Sequence, residues 1–151
     1  MHSAVISDTS CLIVLTNINE LQLLWQLYDT VITTSEVAAE YGTPLPDWFK
    51  IIDPDDKDTQ KGLEYELDRG EASAITLAIQ LHNVTIILDD YKARKIAMRL
   101  GLDITGTIGV MVKAKKMGII PSIKPILTKL KATNFRLSSE LEQLAIKEAG
   151  E

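Results

Sequence analysis

The sequence predicts an α/β fold, a three-layer α/β/α sandwich with a mainly parallel central sheet of about four to five strands. Short segments rich in β-branched residues alternate with longer segments of helical periodicity along the 151 residues. Strands separated by helices are typical of parallel sheets that carry helices on both faces. A chain of this length has room for one domain with one sizeable core.

Five segments have the short, apolar and β-branched pattern of strands. Ala4–Ser7 is an apolar run that stops at Asp8, and the run Val-Thr-Ile-Ile-Leu at residues 84–88 stops at Asp89. The other three predicted strands are residues 30–34, 48–52 and 103–106.

The segments between these strands are predicted to be helical. Ser35 and Ser138 are expected to cap helices, Gly42 to close one, Gly70 to separate two, and Pro121 to begin one. One apolar stripe is expected to hold Leu21, Leu24, Trp25 and Tyr28. The predicted helices are residues 11–15, 21–27, 36–41, 56–67, 72–81, 92–100, 107–116, 121–130 and a last one ending near residue 149.

The domain organisation is expected to be simple. Residues 1–132 should form the domain, and residues 133–151 a C-terminal helical extension packed on that domain or on a partner subunit. The single cysteine, Cys11, excludes an internal disulfide and is expected to be buried. No apolar run approaches the roughly 20 residues that cross a bilayer, and no basic segment with a long apolar stretch begins the chain. We therefore expect a cytoplasmic protein without a membrane partner.

Acidic residues follow two of the predicted strands. Asp8 ends the first, and Asp89 and Asp90 end the strand at residues 84–88. Ligands of open α/β sheets bind outside the carboxyl ends of the strands. Glu40 and Glu71 lie on helices that could turn toward the same edge. Carboxylates this close would repel each other without a cation, and oxygen ligands without a histidine or cysteine cluster favour Mg²⁺ or Mn²⁺ over zinc.

If a metal binds there, the carboxylates of Asp8, Glu71 and Asp89 should approach a common point within about two metal–ligand bond lengths. Simpler roles compete with this interpretation. Asp8 and Asp90 could cap the helices that follow them, Glu71 could favour a helix macrodipole, and Glu40 could be an exposed helical glutamate.

Hydroxyl and basic side chains surround the same predicted edge. Thr9, Ser10 and Thr107 fall at helix starts, where they could bond to a carboxylate or to water. Lys92 and Arg94 follow Asp89 closely and are the candidates for contacts to a nucleic-acid backbone, although a basic helix face is often only solvated. The net charge of −5 argues against broad nonspecific binding of nucleic acid.

The acidic segments resemble the PIN domain, the small nuclease fold of VapC-type toxins. The matching pieces are Val-Ile-Ser-Asp-Thr-Ser at residues 5–10, Val-Ala-Ala-Glu at 37–40, Gly-Glu-Ala-Ser-Ala-Ile at 70–75 and Ile-Leu-Asp-Asp at 87–90. Residues 104–110 resemble the stretch that follows in one branch of PIN-like proteins. The resemblance extends from residue 4 to about residue 130.

The resemblance implies an endoribonuclease that uses Mg²⁺ or Mn²⁺ to hydrolyse RNA phosphodiester bonds. Asp8, Glu40, Glu71 and Asp89 would be its catalytic acids; Asp8, Glu71 and Asp89 would bind metal, and Thr9, Ser10, Asp90 and Thr107 would support them. The third acid of the toxins is commonly an aspartate, so Glu71 places its carboxylate about one carbon–carbon bond further out. A paired antitoxin and a homodimer are also implied.

Two other enzyme classes with acids at strand ends fit the sequence less well. A haloacid-dehalogenase-like phosphatase needs an acid where Ser10 stands, and a response-regulator receiver reverses the order of the acidic pair and the single aspartate. The stronger alternative is a PIN-like binding or regulatory module with weak catalysis.

Overall fold

The computed structural model describes residues 3–151, and five parallel strands form its sheet in the order β3-β2-β1-β4-β5. This confirms the predicted α/β/α fold with a parallel sheet. The strands are β1 (Ala4–Ser7), β2 (Thr30–Thr33), β3 (Phe49–Ile51), β4 (Thr85–Ile87) and β5 (Asp103–Thr105). Val5 lies opposite Val31 on one side and Thr85 on the other, so β1 is the central strand.

Successive strand residues point to opposite sides of the sheet. Because the side chains on both sides are apolar, helices cover both faces. Val5 and Ile87 belong to one core cluster, whereas Ile6 and Ile86 belong to the other. The helices are α1 (Thr9–Asn17), α2 (Gln22–Leu27), α3 (Ser35–Tyr41), α4 (Lys57–Leu63), α5 (Arg69–Leu81), α6 (Tyr91–Arg99), α7 (Thr107–Lys116), α8 (Lys124–Lys131) and α9 (Ser139–Glu148). Among residues 3–151, no helix is both long enough and apolar enough to span a membrane.

The predicted helix boundaries at Ser35 and Gly70 are wrong. Thr34, not Ser35, caps α3, because its hydroxyl accepts the N–H of Val37 while Ser35 is already helical. Gly70 does not separate two helices: α5 begins at Arg69, and Asp68 caps it by accepting the N–H of Glu71. Because residue 70 is a glycine, the side chain of Glu40 on α3 can lie beside it.

Three other predictions about helices also fail. Trp25 is 60% exposed, and Leu23, Leu24, Leu27 and Tyr28 form the buried side of α2 instead. Helix α4 ends at Leu63 rather than near Leu67, and α8 begins at Lys124 rather than at Pro121. Pro125 occupies the first turn of α8, where a missing N–H costs no hydrogen bond.

The C-terminal residues contact the rest of the chain. Ser138 caps α9 as predicted, and Ala145 and Ala149 are buried in the same core cluster as Val5. The Glu151 carboxylate lies 3.3 Å from the Lys115 ammonium on α7. Helix α9 therefore packs against α7 in this chain.

Candidate functional site

The strand order places two of the predicted acids side by side. The chain runs from β1 outward to β3 and then returns to β4 on the other side of β1. The carboxyl ends of β1 and β4 thus flank the point where the strand order reverses, which is the usual ligand site of such sheets. Asp8 directly follows β1, and Asp89 follows β4 by two residues.

Asp8 is a buried carboxylate, only 2% exposed. Its Oδ1 accepts the N–H of Cys11 at 2.9 Å, so Asp8 caps α1 as the simpler interpretation expected. Burial raises the pKa of the Asp8 carboxyl well above its ordinary value, and the negative charges of Asp89 and Glu71 raise it further. Capping one helix therefore does not remove the electrostatic cost of this carboxylate.

Thr107 holds Asp89 by both carboxylate oxygens. The Thr107 backbone N–H donates to Oδ1 at 2.9 Å, and its hydroxyl donates to Oδ2 at 2.5 Å. Thr107 itself is fully buried at the start of α7. A Cβ at Gly106 would lie 2.9 Å from Asp89 Oδ1, so the lack of a side chain there allows the close approach.

The basic candidates on α6 differ in their surroundings. Asp90 caps α6, as predicted, by accepting the N–H of Ala93 at 3.0 Å. Arg94 turns inward, and its Nη1 donates to the Leu88 carbonyl at 2.7 Å. Lys92 is exposed. Arg94 therefore fixes the end of β4. Of the two basic candidates, Lys92 alone has the exposed side chain expected of a contact to a nucleic-acid backbone.

Glu71 lies in the first turn of α5 and is partly buried. Burial raises the pKa of the Glu71 carboxyl to about 7, and the charges of Asp68, Asp90 and Glu40 add to the effect. A carboxyl with this pKa can exchange a proton near neutral pH, which is the property that general acid–base chemistry needs.

Glu40 is exposed and lies over the start of α5. Its Oε1 accepts the Thr9 hydroxyl at 2.5 Å. A Cβ at Gly70 would lie 2.1 Å from the same oxygen and 3.2 Å from Thr9 Oγ1. Gly70 therefore supplies the space in which Glu40 and Thr9 meet.

One acid that matters to the site was missed. Asp68 caps α5 and raises the pKa of both Asp8 and Glu71. The spacing Asp68-x-x-Glu71 has the form of a capping box and would have revealed this helix start from the sequence. Of the remaining candidates, Ser10 is exposed, and Arg69 is 70% exposed and contacts Glu36 and Glu64, as an exposed charge should.

The predicted convergence of three carboxylates on one point is wrong for this structure. No group of three or more histidine, cysteine or acidic side chains in residues 3–151 is arranged to hold a metal ion. Asp89 accepts hydrogen bonds from Thr107, and Glu40 accepts one from Thr9. The donor chemistry nevertheless fits a hard divalent cation, because Asp8, Glu71 and Asp89 all supply carboxylate oxygens, and the charges of Asp89 and Glu71 raise the pKa of Asp8.

Comparison with known proteins agrees with this arrangement. A family model described as a PIN domain matches residues 4–151. No curated protein and no solved structure matched the chain. PIN domains are nuclease-type folds, and their nucleases act on nucleic acids and generally use divalent metals. With acids at the ends of adjacent parallel strands and a match over nearly its whole length, the chain belongs to the PIN domain family.

Proposed function

We propose that the protein is a divalent-metal-dependent endoribonuclease that hydrolyses RNA phosphodiester bonds. The observation that supports this best is Asp8, a buried carboxylate at the end of the central strand whose pKa is raised by burial and then by the charges of Asp89 and Glu71. Negative charges buried together disfavour folding, so their use is expected to lie in binding a cation.

Asp8, Glu71 and Asp89 are the residues that would hold Mg²⁺ or Mn²⁺. When bound, such an ion supplies Lewis-acid chemistry that lowers the pKa of water and offsets charge on a phosphate. Glu71 would complete the set of oxygen ligands or help to orient the attacking water. Glu40 would orient that water, and Thr9 and Thr107 would hold Glu40 and Asp89 in position.

The test compares RNA cleavage by the wild type and by Asp8→Asn. A labelled RNA pool is incubated with each protein in Mn²⁺, in Mg²⁺ and in excess EDTA. The wild type should cleave only with metal, and Asp8→Asn should not exceed the EDTA background. Asp47→Asn, which changes an exposed acid in a loop, is the control and should cleave like the wild type. Equal cleavage by the wild type and Asp8→Asn would contradict the proposal.

A PIN-like binding module with weak catalysis is the second candidate function. The net charge of −5 and the inward position of Arg94 favour it, since both limit the basic surface open to RNA. It predicts that neither the wild type nor Asp8→Asn cleaves RNA in Mn²⁺.

We further propose that the protein acts in the cytoplasm as a homodimeric toxin with an antitoxin partner, as the resemblance to VapC-type toxins implies. Expression of the wild type should then slow cell growth, whereas Asp8→Asn should not. Sedimentation equilibrium of the purified protein tests the dimer. Normal growth with the active nuclease would contradict the toxin role.

A further inference from the structure

A groove adjoins the candidate site on the side of Asp89. Its volume is about 890 Å³, within the range of pockets that bind small ligands. Helix α1, the turn between β5 and α7, residues 133–136 and one side of α9 line it. Asp89 belongs both to this lining and to the acidic site, so a molecule in the groove would lie beside the proposed point of cleavage.

Several polar side chains that line the groove have no bonding partner in the described part of the chain, among them Ser10, the acidic Glu148, Asn17, Asn134 and Arg136. Within residues 3–151, the side-chain amides of Asn17 and Asn134 make no hydrogen bond. The guanidinium of Arg136 has no carboxylate at ion-pairing distance. Amides can donate to and accept from the edge of a base, and a guanidinium can bind a phosphate. Groups of this kind can bind the edge of a base and its phosphate.

An aromatic ring is held in the same wall. Thr133 donates its hydroxyl to the Leu130 carbonyl at 2.6 Å and accepts the N–H of Phe135 at 3.1 Å. Phe135 is partly buried against the core cluster and also lines the groove. The hydrogen bonds fix the loop that carries the ring before any ligand arrives, and bases of single strands stack on such rings.

We propose that this groove binds one base of single-stranded RNA, with its phosphate, next to the scissile phosphodiester. Phe135 would stack on the base, Asn17 and Asn134 would bind its edge, and Arg136 would bind the phosphate. Residues 133–136, at the start of the segment that we propose to be an extension of the domain, would then select the cleavage position. This inference rests on the proposed nuclease function.

RNA binding without cleavage is the first test. Binding of a labelled single-stranded RNA decamer is measured by fluorescence anisotropy in EDTA at one fixed salt concentration. Phe135→Ala should weaken binding roughly fivefold or more, the effect of losing one stacked base. Arg136→Ala should weaken it about as much. Arg99→Ala, which removes an exposed arginine at the end of α6 outside the groove, should change it less than twofold.

Cleavage positions provide the second test. Asn134 is exposed, so Asn134→Ala should leave folding intact while redistributing the cleavage positions in an RNA pool. Because Phe135 also packs on the core, the exposed variants at 134 and 136 keep the proposal testable if Phe135→Ala fails to fold. Wild-type binding and wild-type cleavage positions in both Asn134→Ala and Arg136→Ala would overturn it.

The experiments distinguish failure of the nucleotide-binding proposal for the groove from failure of the nuclease proposal. If the wild type does not cleave but Arg136→Ala weakens RNA binding, the nuclease proposal fails and the groove assignment stands. The groove is instead a protein-binding surface if Leu144→Glu dissociates a dimer while RNA binding is unchanged. That result would overturn the nucleotide assignment.

Discussion

Asp89 and Glu40 are both candidate catalytic acids, but the protein holds them in different ways. Asp89 receives two hydrogen bonds from the buried Thr107, one to each carboxylate oxygen. Glu40 is exposed and receives one hydrogen bond, from Thr9, in a space left by Gly70. The Asp89 side of the site is thus part of the folded core, whereas the Glu40 side can rearrange without disturbing it. Changes on the first side should affect stability and activity together, and changes on the second should affect activity alone.

Asp8 lies between the two sides, and its replacement should have the largest effect. Asp8→Asn should reduce metal-dependent cleavage at least about 100-fold, because loss even of residues that support metal ligands costs 10–100-fold. The same change should raise stability at pH 7, because asparagine also caps helices and adds no negative charge beside Asp89.

The measurements are initial cleavage rates in Mn²⁺ and urea midpoints in EDTA. Asp8→Ala removes the cap as well as the charge and should be about 1 kcal/mol less stable than Asp8→Asn. If Asp8→Asn proves no more stable than Asp8→Ala, Asp8 is not the cap that the structure shows.

Thr107→Val tests the Asp89 side with the next largest effect. Valine keeps the shape and the backbone N–H but removes the hydroxyl that donates to Asp89 Oδ2. The free energy of unfolding should fall by about 1–3 kcal/mol, the cost of a polar group left without its partner. Cleavage should fall 10–100-fold because Asp89 loses its fixed position.

Urea unfolding and cleavage rates of the same preparation measure both effects. Thr107→Ser restores the hydroxyl and should recover most of each loss. A Thr107→Val protein that loses activity but keeps full stability would show that the Asp89 side is not tied to the core.

Gly70→Ala tests the Glu40 side and should have a smaller effect on activity, about tenfold, the lower end of the range for residues that support a metal site. The new Cβ would lie 2.1 Å from Glu40 Oε1, so the glutamate must swing into solvent. Stability should stay equal or rise by up to about 1 kcal/mol, since alanine is the better helix former.

The matched control is Gly62→Ala on α4, where an added Cβ meets no atom within 4 Å and activity should not change. In a Glu40→Gln background, Gly70→Ala should cause no additional loss of cleavage. An additional loss would mean that Gly70 acts through something other than Glu40.

The same contrast explains what the sequence could and could not predict. Strands, the acids at their ends and many helices follow from local patterns. The predicted bounds of α7 and the positions of Asp8 and Asp89 after β1 and β4 therefore agree with the structure. Gly70 was misinterpreted because its low helix propensity suggested a break, whereas its function in the fold is to leave room for Glu40, 30 residues earlier. Local propensity carries no information about a contact over that separation.

The site was predicted less completely than the fold for a related reason. The pairing of Thr107 with Asp89 and the inward turn of Arg94 depend on how α6 and α7 pack at the ends of β4 and β5. Residues 133–136 connect α8 to α9 and line the same groove as Asp89, more than 40 positions away in the sequence. These contacts join elements far apart in the chain, and only Asp68 could have been recovered from a local motif.

Glu71 tests the group of buried acids around Asp8, and its replacement should have the smallest effect. Its pKa is about 7 in the folded protein, well above its ordinary value of 4.5. The folded state therefore retains the proton to higher pH than the unfolded state, and the stability gained is fully present below about pH 4.5 and is lost as pH rises through 7. Wild-type thermal stability in EDTA should accordingly fall between pH 5 and pH 8 by a few degrees more than that of Glu71→Gln.

The difference is small because solvent screens a half-buried carboxyl, and Mn²⁺ should reduce it by favouring the ionised form. Parallel pH profiles for the two proteins would show that Glu71 titrates as an ordinary exposed glutamate and does not belong to the acidic site.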